Sequence, residues 1–467
     1  MTTGVDRGEL ERVRKRLQEF TSEIFSGLER VDQQAAGARY VRGLMLDGKR
    51  KSMQPMAERL GVDHQQLQQF MTSSTWDFVA VRRKVAARVI EVVGPVAWVI
   101  DDTGFAKDGK ASPGVARQYS GTLGKVGNCQ IAVSLHAVTD QASGVLDWRL
   151  YLPQSWDETL VDSGAEGLSD EQRQEREAEA QAVARRRARA KIPDDERHRA
   201  KWQQALEMID EAAGWGHICP LLVSDAGYGQ IGAFRQGLSD RQIAYVVATT
   251  FNTSAHRPEA LPVTKTYAGL GRPPHGRAVY PERAPTLKEL ALETLAQEQA
   301  VRTEVTWRNG TRAGPANPDA AMSGFFLAQR VRPAGRGTTP GPDGVLPERW
   351  LLTEWQPLPD GSLAAEPSDY WLSDLPLDTD LETLVRLAKI RWRIEHDYRE
   401  LKDGLGLDHF EGRSWTGWHR HATLVTAAQL FLTELRLHTT HHDPESTHPK
   451  ASGQLPLSTP SSANSST

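Results

Sequence analysis

Two short apolar runs, each closed by a carboxylate, constrain this chain more than any other feature. Val96-Ala97-Trp98-Val99-Ile100 runs into Asp101 and Asp102, and Pro220-Leu221-Leu222-Val223-Ser224 runs into Asp225. A continuous apolar run of about five residues reads as a buried strand. Behind the first run, residues 115–120, 129–138 and 145–152 read as further strands separated by Gly-bearing turns. Together they suggest an antiparallel meander that opens with the Asp-tipped strand. Two charge-rich helices follow, over 169–191 and 195–213, with Pro193 breaking them apart. After the second Asp-tipped strand come a helix around Phe234 and a strand over 243–248. The pattern predicts an α/β fold with a mixed sheet and flanking helices.

A third acid stands out near the C-terminal end. Glu395 lies in a predicted helix over about 381–404, in the stretch Arg391-Trp392-Arg393-Ile394-Glu395-His396-Asp397-Tyr398-Arg399. Leu387, Ile394, Tyr398, Leu401 and Leu405 follow a 3.6 period and form one apolar stripe. Arg391, Glu395, Arg399 and Lys402 form a second stripe beside it. Two carboxylates at strand ends plus one from a helix suit a pair of Mg²⁺ ions. Mg²⁺ prefers oxygen ligands and binds through few carboxylates plus substrate phosphate. Two such ions about 3.5–4 Å apart serve phosphodiester chemistry. A carboxylate cluster with no cation would repel itself. A strand-end Asp can instead cap a helix, and a helix Glu is often a surface ion pair; three acids in this order on this meander plan argue for a shared role.

These residues resemble bacterial insertion-sequence transposases of the DDE type, which have a ribonuclease-H-like core. The resemblance is carried by Val99 through Lys107, by Val223 through Gly229, and by Ile394 through Trp415. The third stretch is similar to a signature in which Tyr, Arg, Glu and Lys are separated by two, three and six residues. Arg391, Glu395 and Lys402 fall on the last three positions, whereas the Tyr position is Ala388. The resemblance implies a metal-binding catalytic triad of Asp101, Asp225 and Glu395, holding two Mg²⁺ for which Mn²⁺ can substitute. It implies DNA contacts by Lys107, Arg391, Arg399 and Lys402. It further implies metal-dependent strand cleavage and strand transfer on terminal inverted repeats and target DNA, with a homodimer pairing two DNA ends. Asp101 and Asp102 are adjacent, and alternation sends them to opposite faces of the strand; Asp101 is favoured as the ligand, with Asp102 kept open. Two other activities stay open: a catalytically silent, domesticated DNA-binding regulator, and a nuclease of the same core that cuts without joining.

The 170 positions between Asp225 and Glu395 exceed what one helix needs. Residues 251–375, rich in Pro, Gly and Arg with strands expected at 302–307, 325–331 and 350–355, read as a β-rich insertion. The full division expected is a helical DNA-binding domain over 1–95, a ribonuclease-H-like catalytic domain over 96–250 and 376–440, the insertion, and a disordered tail over 441–467. Within the first domain, Met56 to Leu60, Gly61, and Gln65 to Phe70 have the grammar of a helix-turn-helix.

Charge sharpens the division. The chain has 56 Lys and Arg against 60 Asp and Glu, a net of −4, which excludes nonspecific coating of nucleic acid. Residues 1–95 nevertheless hold 16 basic and 12 acidic residues. The run Arg185-Arg186-Arg187-Ala188-Arg189 can meet phosphate or form a solvated helix face. His409, His419 and His421 are read as packing or phosphate contacts, since no cysteine accompanies them. No P-loop or dinucleotide-binding glycine pattern is present. No run of about 18 apolar residues and no apolar leader is visible, so a cytoplasmic setting, associated with the nucleoid when on DNA, and no membrane partner are expected.

Overall fold

In the computed structural model, residues 7–162, 168–264, 278–297, 300–309, 318 and 320–442 are described. Five helices come first: α1 (Arg7–Phe25), α2 (Val31–Met45), α3 (Met53–Leu60), α4 (His64–Thr72) and α5 (Phe78–Val93). Then follow β1 (Ala97–Ala106), β2 (Ala116–Ser120), β3 (Lys125–Val138) and β4 (Ser143–Leu150), and helices α6 (Glu158–Asp162), α7 (Asp170–Ala190) and α8 (Lys201–Gly214). Next are β5 (Leu222–Ser224), α9 (Ala226–Gly229), α10 (Gly232–Asp240), β6 (Tyr245–Thr249), β7 (Ala255–His256), β8 (Val263–Thr264) and β9 (Ala278–Val279). The remaining elements are α11 (Leu287–Leu295), β10 (Thr303–Asn309), β11 (Ala321–Pro333), β12 (Arg349–Trp355), β13 (Asp369–Ser373), α12 (Leu381–Lys389), α13 (Trp392–Arg399) and α14 (Trp415–His442).

Among the described residues, eleven strands form one mixed sheet in the order β10-β11-β12-β13-β6-β5-β1-β3-β2, with β4 beside β3 and β7 beside β11. Strands β6, β5 and β1 are parallel neighbours. The long β3 pairs β2 with its first half and β4 with its second, and β1 lies beside β3 rather than β2. The expected meander in chain order is therefore not formed, because β2 folds back on β3 as a hairpin at the end of the sheet. A mixed sheet flanked by helices in this way is the ribonuclease-H-like plan. No described helix is long and apolar enough to cross a membrane.

The chain divides into two compact units. The first takes in Met1–Pro95, Asp102–His217 and Arg393–Thr467. Its centre is α14, whose buried residues Ala422, Leu424, Val425, Ala427, Ala428, Leu430 and Phe431 point in every direction around the axis. A helix apolar all round has to be covered on all sides, and α2, α4, α5 and β4 cover it. The second unit takes in Val96–Asp101 and Ile218–Trp392. Its sheet carries Leu327 and Trp355, which pack with Ala291 of α11.

Four further differences from expectation have physical reasons. Strand β1 continues past its apolar run to Ala106, because Thr103 and Phe105 are buried while Gly104 lies under Ser120 with no room for a side chain. The helix expected from 195 begins only at Lys201. Arg187 donates to the carbonyls of Pro193 and Glu196, and the His198 amide donates to Asp157, so the segment between is wrapped as a loop. The region over 251–375 also contains α11 and β13, and its strands β10 to β13 extend the same sheet beyond β6.

The fourth difference concerns the helix expected over 381–404. It is interrupted at Ile390 and Arg391, resumes as α13, and ends in a π-helical turn over Glu400–Gly404. In α12 the buried residues are Leu384, Val385, Leu387 and Ala388. An unbroken helix of 3.6 residues per turn would put Glu395 under the same arc. The interruption shifts the buried arc to Ile394, Asp397 and Leu401, and Glu395 comes out exposed. Of the tail expected over 441–467, His441 and His442 belong to α14, and 443–467 lies outside the described residues.

Candidate active site

Backbone pairing places the two strand-end acids. Strands β1 and β5 run parallel with Trp98 opposite Leu222, Val99 opposite Val223 and Ile100 opposite Ser224. Asp101 and Asp225 each follow directly on the last pair of this register, Ile100 opposite Ser224, on strands that parallel pairing holds about 4.8 Å apart. Asp225 ends its strand and becomes the N-cap of α9, its side chain accepting from the Tyr228 amide at 3.3 Å. Asp101 is 8% exposed, and the Arg391 guanidinium donates to its Oδ2 at 2.8 Å. Two carboxylates held side by side repel one another, and a cation at bonding distance relieves part of that repulsion.

Alternation along β1 separates Asp101 from Asp102, as expected. Asp102 accepts from Lys201 Nζ at 2.7 Å, so each of the adjacent acids has its own cation. Only Asp101 extends the register that leads to Asp225.

In the first unit, Glu395 lies on the exposed side of α13. The opposite side of that helix is pinned by a buried polar network that no sequence spacing announces. Asp397 accepts from Ser143 Oγ at 2.6 Å and bonds His136 Nδ1 at 3.0 Å. His136 Nε2 reaches Ser134 Oγ at 2.9 Å, and Ser134 Oγ reaches the Tyr398 hydroxyl at 2.6 Å. His136, Ser134 and Asp397 are all buried. Their partners are about 260 positions apart in sequence, which is why local pattern missed them. Burial pushes the neighbouring Glu400 carboxyl up, and Arg436 pairs with it.

The four cations predicted to meet DNA differ in their surroundings. Arg391 holds Asp101. Lys402 donates to the Gly104 carbonyl at 2.8 Å, and burial lowers its pKa. Lys107 donates to the Phe410 carbonyl at 3.0 Å, also with a pKa lowered by burial. Arg399 is exposed. In the basic run, Arg187 is buried on backbone carbonyls and Arg186 stacks 4.1 Å from the Trp156 ring centroid, whereas Arg185 and Arg189 are exposed. His419 and His421 are packed inside the first unit.

Among the described residues, no group of three or more His, Cys, Asp or Glu is gathered as a complete metal-binding set. The donor chemistry of Asp101 and Asp225 still fits Mg²⁺, which takes one or two carboxylates and fills its remaining positions with water and substrate phosphate.

The family described as DDE superfamily endonuclease matches residues 23–314. That span includes Asp101 and Asp225 and stops short of Arg391 and Glu395. A probable transposase for insertion sequence element IS701 from Microchaete diplosiphon is 27% identical over 224 residues, covering 47% of this chain and 49% of that relative. The chain thus spans about half the length of the curated relative it matches. With the match running over most of its length, the chain belongs to the DDE superfamily endonucleases.

Proposed function

We propose that this protein is a DNA transposase that binds the terminal inverted repeats of its element and carries out metal-dependent strand cleavage followed by strand transfer. The observation that supports this reading is the parallel register of β1 and β5, whose last pair, Ile100 opposite Ser224, is followed in each strand by an Asp, in a chain of the DDE endonuclease family. Asp101, Asp225 and Glu395 would hold two Mg²⁺, or Mn²⁺ in their stead. Bound there, the ions would supply Lewis-acid stabilisation of charge on the reacting phosphate oxygens. Arg391, bonded to Asp101, lowers the cost of bringing a polyanionic backbone to an acidic site. Lys107, Arg399 and Lys402 are assigned to DNA phosphates beside it.

Water attacks the phosphodiester at the element end, the P–O bond to the 3′ oxygen breaks, and a 3′-hydroxyl is released. That hydroxyl then attacks a target phosphodiester, displacing a second 3′ oxygen and joining the strands. The helices over 1–95 are assigned to recognition of the ends. Residues 96–250 and 376–440 are assigned to the catalytic core, and 251–375 to holding the end as an insertion. A homodimer would pair two ends, in the cytoplasm on nucleoid DNA.

The test is incubation of the purified protein with a plasmid bearing the element ends and Mg²⁺. Wild type is expected to give nicked and joined products, and Asp225→Asn or Glu395→Gln to lower the rate by about a thousandfold. Wild-type cutting no faster than the variants overturns the reading. Nicks without joined product favour a nuclease, and tight sequence-specific retention without any cutting favours a regulator.

A further inference from the structure

Helix α4 presents an unusual surface to solvent. Its sequence is His64-Gln65-Gln66-Leu67-Gln68-Gln69-Phe70-Met71-Thr72, with no Asp, Glu, Lys or Arg. Leu67, Phe70 and Met71 are buried and define one side. The opposite arc carries Gln65, Gln68 and Gln69, all exposed. Their side-chain amides make no hydrogen bond among the described residues. Gln66, at the edge, is already occupied: Arg39 Nη1 donates to its Oε1 at 3.0 Å. Surface helices elsewhere in the chain, such as α1 and α7, cover their exposed sides with Arg and Glu. A face built of uncharged amides gives up that solubility and keeps only paired donors and acceptors.

The helix is also held rigidly. Gly61 closes α3 in the left-handed region at φ 66°, and Asp63 caps α4 by accepting from the Gln65 amide at 2.9 Å. This is the three-residue turn of a helix-turn-helix, whose second helix enters the major groove. At the other end, Arg420 of α14 donates to the carbonyls of Met71, Ser74 and Trp76 at 3.2, 2.5 and 2.7 Å. Phe70 stacks on Trp76 with ring centroids 4.9 Å apart. Beside the amide face a cleft of about 550 Å³ is lined by Gln69, by Arg39 and by Arg30, which pairs with Asp32 at 2.8 Å. Neutral readers beside a cation match a base edge beside its backbone phosphate.

We propose that α4 is the sequence-reading helix of this protein and that Gln65, Gln68 and Gln69 recognise adenine in the major groove of the element ends. A glutamine amide donates to adenine N7 and accepts from its N6 amino group, a pairing no other base offers in that groove. The inference rests on the proposed DNA-binding function and assigns its base specificity.

The test uses the full chain and atom-level probes. A pool of duplexes with 25 randomised base pairs is selected on wild-type protein. Each adenine of the winning duplex is then replaced singly by 7-deazaadenine, which keeps base pairing and removes N7. Wild type is expected to lose about tenfold in affinity at one or more adenines. One of Gln65→Ala, Gln68→Ala or Gln69→Ala is expected to erase that loss at its own adenine while leaving the unfolding temperature unchanged. A winning duplex whose adenines tolerate the change, or whose penalties persist in all three variants, overturns the inference. Binding with no sequence preference also overturns it, and leaves the cleavage reading standing. Absence of any DNA binding sinks both.

Discussion

The two units position their candidate acids by different means. In the second unit, Asp101 and Asp225 are set by a backbone ladder, because their strands pair residue for residue up to the rung before them. In the first unit, Glu395 is set by side chains: it projects from a two-turn helix whose other side is fastened by Asp397, His136, Ser143, Ser134 and Tyr398. A ladder has no single side chain on which its geometry hangs, and it yields only where an added atom forces strands and helices apart. A buried polar network is strong while every member is satisfied and fails when one is removed.

The most damaging test of this contrast is Asp397→Ala. It leaves the His136 Nδ1 without its partner and the Ser143 hydroxyl proton without its acceptor, both buried, with Ser143 Oγ keeping only the Arg393 donor at 3.4 Å. Each unsatisfied buried group costs about 1–3 kcal/mol, so a loss near 4 kcal/mol is expected in denaturant unfolding. Asp397→Asn, which keeps an acceptor of the same shape, should lose about half as much. A cost below 1 kcal/mol for the alanine would show that α13 is fastened by its apolar residues instead.

The ladder has its own weak point, Gly229. A Cβ there would lie 2.0 Å from the Ala248 carbonyl oxygen and 2.8 Å from the Val247 Cβ, so helix α9 can approach β6 only without a side chain. Gly229→Ala must push α9, with its N-cap Asp225, off the sheet. Overpacking of this kind against backbone is expected to cost about 3 kcal/mol. Thermal unfolding measures it, and an unfolding temperature equal to wild type would mean that α9 can shift freely.

The sequence made the ladder legible and the network illegible for the same reason. Buried parallel strands leave a local mark, an apolar run that stops at a polar residue, and each run with its closing acid takes six positions, 96–101 and 220–225. Strands β2, β3 and β4 were readable in the same way though not the order in which they pair, as was the apolar stripe, of which Leu387, Ile394, Leu401 and Leu405 are buried and Tyr398 is half-buried. Contacts such as His136 with Asp397 join distant segments and leave no periodicity. The interruption at Ile390 was hidden because neither Gly nor Pro marks it. Helix α11 was concealed in a segment whose flanks are rich in Pro and Gly, and β13 is only five residues long.

Acid should separate the two kinds of construction more gently. His421, in the first unit, is buried between Tyr40 and the loop over 406–410. Its Nε2 is 3.0 Å from the Gly406 carbonyl and its Nδ1 3.0 Å from the Tyr40 hydroxyl. The carbonyl can only accept, so Nε2 carries the proton and Nδ1 accepts from the tyrosine: the neutral ring is fully satisfied. Burial, with a smaller contribution from Lys107, lowers its pKa from 6.5 to about 4. The unfolded chain therefore takes up a proton before the folded one, and stability falls as pH drops through 6.5 toward 4. At 1.36 kcal/mol per unit, the loss between pH 7 and pH 5 is about 2 kcal/mol from this residue. Burial also holds His419 well below 6.5, and it adds a loss of the same sign. In His421→Gln the protein should be less stable at pH 7, yet lose about 2 kcal/mol less on acidification, as read by denaturant unfolding at the two pH values. An unchanged pH dependence would mean that the charged ring is accommodated in the folded first unit, and the contrast with the second unit, whose strand-end pair needs no neutral histidine, would lose its acid limb.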